Sequence, residues 1–344
     1  MPSYINNPAT GVPTPLDTVD AVYGLALMYG RLLVGGANIQ SRYDFFDKDF
    51  MQYGAIVADA KVKAVESQPV NPQNTNFGAP KYAEVLPLYF AEWNDRSYEV
   101  EIKDSETYAV VDGSTSFEVF VAQIINSLNE GERMEKNANY ERLLLNPDLS
   151  DPATESEIAL IAFDKIAIRE EPAGSITGGV YGVLKTLGQY EIFDNPTNEQ
   201  VFTEIRNVVK GMTFENDTYS GGYFSGARLE DLAIIAPYEW LNETGVTFLS
   251  RLFNLSEADL LARIIEAPNL QNTFTKEGGS VKVSTIFILH RNAIGRVVRY
   301  RSSMTDFVRQ RWARWFGNVV VDMYYFNKYE KAYALVINEY TAKN

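Results

Sequence analysis

The side chains that most often carry enzyme chemistry are scarce in this sequence. The 344 residues include no cysteine and one histidine, His290. The lack of cysteine excludes disulfides, thiolate zinc sites, iron–sulfur clusters and cysteine nucleophiles. A single imidazole cannot form a multi-histidine metal site. His290 could serve as the base of a serine triad, but no nucleophile-elbow sequence accompanies it, so a structural histidine is the favoured interpretation.

Motifs that bind phosphate or metal ions are also missing. The sequence contains no G-x-x-x-x-G-K-[ST] loop, no strand-linked G-x-G-x-x-G and no calcium loop. The glycine cluster at 219–226 lacks a suitably placed lysine and is interpreted as a loop. A glycosidase-type carboxylate pair could lie among the 45 acidic residues, although nothing in the sequence selects two of them. We therefore predict no cofactor, no metal ion and no catalytic residue.

Arginine is concentrated in one segment, from His290 to Trp315. This segment has a net charge of +6, so the remainder of a chain with net charge -14 carries -20. Arginine forms bidentate pairs with carboxylates and phosphates, and together with tryptophan it is enriched in protein interfaces. The candidate inter-subunit contact residues are Arg291, Arg296, Arg299, Arg301, Arg309, Arg311, Arg314, Trp312 and Trp315.

Two other interpretations of the arginine segment stay open. Its charges could pair with acids of the same chain on a solvated face. They could also contact nucleic acid, although the acidic remainder of the chain would repel phosphates.

Two regions in the first third of the sequence predict elements that have no hydrophobic core of their own. The proline-rich residues 1–16 indicate an extended arm, and 16–34 have helical spacing, packed either on the same domain or on a neighbouring subunit. Alternating polar and apolar residues at 61–65 predict a strand with one solvated face, followed by strands at 85–89 and 98–102. The loop at 69–80 would be the polar tip of an elongated β-hairpin, which needs support from outside itself.

A long helix is the clearest single element. Thr115 and Glu118 form a capping-box pattern, and apolar residues follow at helical spacing from Phe117 to Leu128. If the helix continues past Gly131 to Leu145, it has about 30 residues and is about 45 Å long.

The remaining pattern is mixed α+β, without an internal repeat. An acidic linker is expected at 146–157, and an amphipathic helix at 195–210. Buried strands are predicted at 232–236 and 284–289. A further helix begins at Ser256 and includes Ile264 and Ile265. Two aromatic strands, 319–326 and 331–340, are predicted to form a C-terminal hairpin.

No secretory signal and no apolar run of 18 residues is visible, so we expect a soluble protein made in the cytosol.

Local resemblance to a known family is strongest over 228–340. It rests on the run at 228–237, on 264–268, on the strand at 286–289 with the following 290–294, and on 322–325. Together with the order of arm, hairpin, long helix, α+β domain and aromatic strands, this resembles the major capsid proteins of tailed bacteriophages, which have the Hong Kong-97 capsid fold.

The resemblance implies a fold class, an α+β Hong Kong-97-like capsid fold, and five segments. These are an N-terminal arm (1–42), an extended β-hairpin loop reaching over the neighbouring subunit (43–110), a peripheral domain with a spine helix (111–171), an axial domain (172–308) and C-terminal strands (309–344). The implied partners are copies of the chain itself in hexamers and pentamers, a separate scaffolding protein, a portal and packaged double-stranded DNA, without a membrane. The implied location is the virion, assembled in the host cytoplasm.

Three alternatives remain at this stage. An encapsulin-like compartment shares the fold but would hold cargo proteins instead of a genome. A carboxylate-dependent carbohydrate-active enzyme would be a monomer with a cleft. Another phage structural protein, such as a tail or connector component, would form rings or tubes.

Overall fold

A computed structural model describes most of the chain. The described residues are 4–6, 13–15, 40–48, 50–51, 56–64, 84–103, 114–145, 180–238, 240–241, 264–276, 279–308 and 312–342. They form two compact units. The first lies within Met1–Ser41, Asn94–Lys136 and Val298–Asp322, and the second within Arg42–Trp93, Asn137–Val297 and Met323–Asn344.

The described elements are mostly strands. The strands are β1 Tyr4–Asn6, β2 Pro13–Pro15, β3 Val57–Val62, β4 Val85–Phe90, β5 Asn94–Lys103, β6 Tyr190–Asp194, β7 Leu232–Ala236, β8 Ile264–Glu266, β9 Gln271–Lys276, β10 Gly279–His290, β11 Ile294–Val308, β12 Ala313–Phe326 and β13 Ala332–Ala342. The α-helices are α1 Ser114–Leu144, α2 Val180–Thr186 and α3 Asn198–Thr213. Short 3₁₀ helices lie at Asp44–Phe46, Leu229–Asp231 and Pro268–Leu270. The predicted α+β class is confirmed.

A six-stranded sheet forms the centre of the second unit. Its strand order is β6-β13-β10-β7-β8, with β9 paired to β10. Alternate residues of β10 point to opposite faces, so Phe287 and Leu289 lie in one apolar core while Ile286 and Ile288 lie in another. The first core includes Leu184 of α2, and the second is closed by α3. Because both faces are covered, the central strands are apolar throughout rather than alternating.

Helix α3 packs as its sequence pattern predicts. Its buried residues are Val201, Phe202, Ile205, Val208, Val209 and Met212. Thr197 caps its N-terminus in a capping box with Gln200, and the helix runs to Thr213 rather than ending at 210.

In the first unit, β11, β12 and β5 form a three-stranded sheet in that order. Helix α1 packs on this sheet through a small apolar cluster, in which Phe316 of β12 and Leu128 of α1 are buried. Tyr98, Val100 and Ile102 of β5 are partly buried against them. The alternation in β5 places these three side chains on the helix side of the sheet.

The structure confirms several of the elements predicted from the sequence and contradicts two of them, the C-terminal hairpin and the helix at 264–265. Strand β7 has the predicted bounds, and α1 is one 31-residue helix that continues through Gly131. The C-terminal hairpin is wrong, because β12 pairs in the three-stranded sheet and β13 in the six-stranded sheet. Ile264 and Ile265 lie in strand β8, not in a helix, because they pair beside β7. The helix at 16–34, the loop tip at 69–80, the linker at 146–157 and residues 256–263 lie outside the described residues.

Candidate functional site

The ribbon of β3 and β4 has two faces of opposite character. Its inner face packs Leu88 and Phe90 against Met323, with Tyr325 and Tyr329 beside them. The rings of Phe90 and Tyr325 lie 4.6 Å apart, centroid to centroid. This apolar contact anchors β4 to the second unit.

The outer face of the ribbon is apolar and exposed. Cross-strand neighbours share a face in an antiparallel pair, and the register pairs Ala58 with Tyr89, Ala60 with Pro87, and Val62 with Val85. All six side chains lie on the exposed positions of the burial pattern, with Val62 51%, Val85 48% and Tyr89 47% exposed. We call these six residues the hairpin outer face.

The alternation at 61–65 predicted a strand with one solvated face and did not specify which side chains form it. In β3 the exposed face is the apolar one, and Asp59 and Lys61 point inward. The reason is that the body of the protein supplies polar partners for them. Asn327 donates a hydrogen bond to Asp59, and Lys61 forms an ion pair with Glu330.

Glu330 is the centre of a small polar group beneath the ribbon. It accepts from Lys61, and His290 Nδ1 lies 2.9 Å from its Oε2. Lys61 Nζ is also 3.8 Å from Asp59 Oδ2. We call Asp59, Lys61, His290, Asn327 and Glu330 the hairpin cluster.

Pairing within the hairpin cluster shifts the pKa values of Glu330 and Lys61. Burial raises the pKa of Glu330, but the hydrogen bonds from His290 and Lys61 outweigh burial and hold the pKa below its usual value. Burial lowers the pKa of Lys61, yet its hydrogen bond to Glu330 and the charge of Glu330 outweigh that effect and raise the pKa. Both groups are therefore held in their charged forms.

A polar cavity of about 360 Å³ lies next to His290. It is lined by Asp47, Lys48, Asp231, His290, Arg291 and Asn292. Lys48 Nζ donates to the backbone oxygen of Arg291 and to Asn292 Oδ1, each at 2.8 Å. Burial and the nearby Arg291 lower the pKa of Lys48 to about 8. The described residues contain no cluster of three or more acidic or histidine side chains able to hold a metal ion.

The predicted arginine group is divided between the two units. Arg291 and Arg296 belong to the second unit. Arg291 lies 3.7 Å from Asp231, and its guanidinium is 5.8 Å from the Phe45 ring. Arg296 is only 6% exposed, with its guanidinium 5.9 Å from the Tyr324 ring. The burial of Arg296 gives it an intrachain role.

The remaining described members of the group lie in the first unit. Arg301 forms an ion pair with Glu132, and Trp315 Nε1 donates to Glu99 Oε2 at 3.2 Å. Arg299 and Arg314 are exposed. Trp312 is 70% exposed and has a positive φ of 50°. Arg309 and Arg311 lie outside the described residues.

A second exposed apolar surface accompanies these arginines. It consists of Phe307 of β11 and Trp312, and we call these two residues the β11 surface. Tyr300 and Met304 of the same strand are also exposed, but strand alternation places them on the opposite face from Phe307. The rings of Phe307 and Trp312 are 6.3 Å apart in an edge-on arrangement. From Arg299 onwards β11 is exposed on both faces, apart from half-buried Ser302 and Val308.

The sequence reasoning missed the hairpin cluster and the hairpin outer face. A signal was present in both cases. Ala58, Ala60 and Val62 alternate with charged residues, but alternation alone does not say which face meets solvent. Asp59 and Glu330 are 271 positions apart in the chain, so no local pattern could bring them together.

Comparison with known proteins identifies related chains. A family model described as Phi29-like phage major capsid protein matches residues 28–330. No curated protein sequence matches the chain. In the described part of the chain, no helix is both long and apolar enough to cross a membrane.

Several solved structures are similar in fold. The capsid structure of Staphylococcus phage Andhra aligns with a TM-score of 0.63 and 8% identity, covering 89% of this chain and 86% of that one. The structure of head fiber and inner core protein gp22 of bacteriophage P68 aligns with a TM-score of 0.56 and 8% identity, covering 89% and 87%. The mature capsid of bacteriophage PhiM1 aligns with a TM-score of 0.50 and 8% identity, covering 90% of each chain.

Proposed function

The chain belongs to the Phi29-like phage major capsid protein family, and we propose that it builds the head shell by seating its hairpin outer face on a neighbouring copy. As a major capsid protein it forms the shell of the phage head and is part of the virion.

The hairpin outer face carries this proposal. Six exposed positions on one side of a two-stranded ribbon, three alternate positions on each strand, are apolar, while Asp59 and Lys61 of the same ribbon point inward. A contiguous exposed apolar patch marks an interaction site, and permanent interfaces between copies are apolar. In a shell built from one chain, the partner present at equal concentration is a second copy.

The β11 surface is proposed as a second contact between copies. It places exposed aromatic side chains near Arg314, which lines the same surface recess as Phe307, and this combination is typical of interface anchors. The complementary surface would be acidic, as most of the chain is. Of the nine candidate contact residues, we propose this role for Arg299, Arg301, Arg314, Trp312 and Trp315, and for Arg291 at the polar cavity. Arg309 and Arg311 remain candidates from the sequence alone.

The finer architecture is proposed from the family resemblance. We propose a Hong Kong-97-like arrangement in which 43–110 hold the extended loop, 111–171 the peripheral domain with its spine helix, and 172–308 the axial domain. The N-terminal arm (1–42) and the C-terminal strands (309–344) complete this division. Helix α1, the β3–β4 ribbon and the six-stranded sheet support this assignment.

The remaining partners follow from the role in the head. We propose assembly in the host cytoplasm with a separate scaffolding protein and a portal, around double-stranded DNA. A net charge of -14 favours an inner wall that does not hold the DNA backbone tightly. The role is structural, and no catalytic residue is assigned.

The test is an assembly assay on the purified chain. Tyr89→Glu places a charge on the hairpin outer face, at the pair with Ala58, without changing a residue of the hairpin cluster. We expect Tyr89→Glu to remain folded by circular dichroism but to form shells at least about tenfold less efficiently, because a buried unpaired charge costs several kcal/mol. Sedimentation and negative-stain microscopy give the readout.

Asn207→Glu is the matched control, since it adds the same charge to the exposed side of α3. Normal shells from Tyr89→Glu would contradict the proposed role of the hairpin outer face.

A further inference from the structure

We propose that the two outer strands of the three-stranded sheet pair with each other between copies, so that β11 of one chain adds to the outer edge of β5 in the next. Because the partner is a second copy, this contact rests on the proposed function, and it identifies the acidic strand that the arginine-bearing strand meets. All of β5 and the exposed part of β11, from Arg299, belong to the first unit. The contact therefore involves a single compact unit of each chain.

Each outer strand of this sheet has one edge that the described residues leave outside the ladder. The strand order β11-β12-β5 pairs both outer strands with β12 on one side only. The backbone N–H and C=O groups on the other side can pair with a strand of another chain, and such strand addition is a common mode of recognition. The exposed part of β11 (299–308) and β5 (Asn94–Lys103) are each ten residues long, so that either strand covers the other over its whole length.

The exposed part of β11 is unusually open for a strand that carries large apolar side chains. Its side chains are exposed on both faces, apart from half-buried Ser302 and Val308. Tyr300 and Met304 on one face are each 45% exposed, and Phe307 on the other face is 39% exposed. The stretch 299–308 contains neither proline nor lysine, two residues that protect strand edges from pairing. A strand added beside β11 would cover part of these apolar side chains.

Charge selects among the ways in which two copies can join these edges. The exposed charged side chains that the structure describes in β5 are all carboxylates, those of Asp95, Glu99 and Glu101. Those of the exposed part of β11 are two guanidinium groups and one carboxylate, on Arg299, Arg301 and Asp306. Two copies of β5 would bring only carboxylates together, and like charges on neighbouring strands are destabilising. Two copies of β11 would also carry charge of the same sign, whereas β11 on β5 joins opposite net charges.

A contact between two different edges also suits a ring. When β11 of one copy lies on β5 of the next, the β11 strand of that next copy is available for a further copy. Such head-to-tail contacts close into rings when the rotation from copy to copy divides a full turn, whereas a contact between identical edges ends at a dimer. The hexamers and pentamers that the family resemblance implies are rings, which need a contact of the first kind.

Disulfide trapping tests the contact directly, because the chain contains no cysteine of its own. Ser303 and Met304 lie in the middle of the exposed part of β11, on opposite faces, so Ser303→Cys and Met304→Cys sample both faces. Each is mixed in equal amounts with a chain that carries cysteine at one exposed position of β5, namely Asp95, Ser97, Glu99 or Glu101. The mixtures are assembled in reductant, checked for shells by negative-stain microscopy and then oxidised.

We expect a disulfide-linked dimer of two different chains for at least one pair of positions, because a disulfide forms only when the two Cα atoms lie within about 7 Å. Non-reducing electrophoresis measures its yield, and mass spectrometry identifies the joined β11 and β5 peptides. The yield should be at least about tenfold higher than with Asn207→Cys, the matched control on the exposed side of α3.

Two results would overturn the pairing of β11 with β5. One is the lack of a mixed dimer for every pair in shells that form normally, and the other is a dimer that joins β11 to β11 instead. Normal shells from Tyr89→Glu contradict the role of the hairpin outer face but leave the disulfide between β11 and β5 in place. The two proposals can therefore fail separately.

Charge exchange gives a second measurement of the same contact. Arg299→Glu should slow assembly at least about fivefold at low salt, because it sets a carboxylate against the acidic strand of the next copy. Adding Glu101→Arg to the same chain should bring the rate back to within about threefold of wild type, since a Debye length of about 10 Å at 0.1 M spans neighbouring strand positions. Arg206→Glu, on the exposed side of α3, is the control for the change in net charge and should assemble normally. A double variant that assembles no faster than Arg299→Glu would contradict the pairing.

Discussion

Gly295 lies so close to the Tyr325 ring that a single added carbon atom would disturb the packing at the base of the β3–β4 ribbon. A Cβ added at Gly295 would lie 2.7 Å from the Cζ and the Oη of Tyr325. The same ring packs on Phe90. Gly295→Ala would therefore push Tyr325 away from the ribbon, and we expect a loss of about 1–3 kcal/mol in the free energy of unfolding, the usual cost of overpacking.

The measurement for Gly295→Ala is denaturant unfolding within a double-mutant cycle. With Tyr325→Ala in the background, the ring that causes the clash is absent, so Gly295→Ala should cost much less. An equal cost in both backgrounds would show that the strain lies elsewhere.

At the scale of single residues, the sequence predicted the role of a side chain better than its position in the fold. The structural role of His290 was favoured from the lack of a nucleophile motif, and its contact with Glu330 agrees with that role. The arginine segment was treated as one group, yet Arg296 is buried beside Tyr324 while Arg299 is exposed. Charge density along a chain does not reveal which side chains a strand turns inward.

At the scale of elements, Gly131 in α1 allows a clean test. The helix continues through it, and among the residues that the structure describes an added Cβ would meet only Tyr98 Cδ1, at 3.6 Å, an ordinary contact. Glycine loses more backbone entropy in a helix than alanine does, so Gly131→Ala should raise the free energy of unfolding by about 0.5–1 kcal/mol.

Gly211 in α3 provides the opposite case for the same substitution. There an added Cβ would lie 2.7 Å from Tyr219 Cε2, so we expect Gly211→Ala to stabilise less or to destabilise. Thermal and denaturant unfolding of both variants give the readout. The same sign and size of change in both would mean that helix propensity alone decides, against the packing argument.

Elements with local patterns were predictable, and the pairing of strands was not. The spacing of apolar residues gave α3 and β7 directly, because helix faces and short buried strands are local features. The partner of β12 is β5, whose Tyr98 pairs with Asn318 across 220 positions of sequence. A turn at 327–330 between two strand-like segments predicts a hairpin, but here the chain changes sheets at that turn. Long-range pairing, not turn chemistry, decides which sheet each strand joins.

At the scale of the whole molecule, uneven charge predicts how assembly responds to salt. The segment 290–315 carries +6 and the rest of the chain -20, so copies can attract one another through unlike surfaces. Salt screens such attraction, since the Debye length falls from about 10 Å at 0.1 M to about 3 Å at 1 M. Contact through the apolar hairpin outer face would not weaken in this way, because burial of apolar surface does not depend on screening.

The two contributions can be separated by kinetics. Raising sodium chloride from about 0.1 M to about 1 M should slow wild-type assembly at least about threefold, because steering of encounters is electrostatic. The double variant Arg299→Gln/Arg314→Gln should assemble more slowly at low salt and respond less to added salt. Tyr89→Glu should assemble poorly at every salt concentration, since its defect is a buried charge rather than lost steering. Light scattering during assembly follows all three chains, and a wild-type rate that salt does not change would contradict an electrostatic role for the arginine segment.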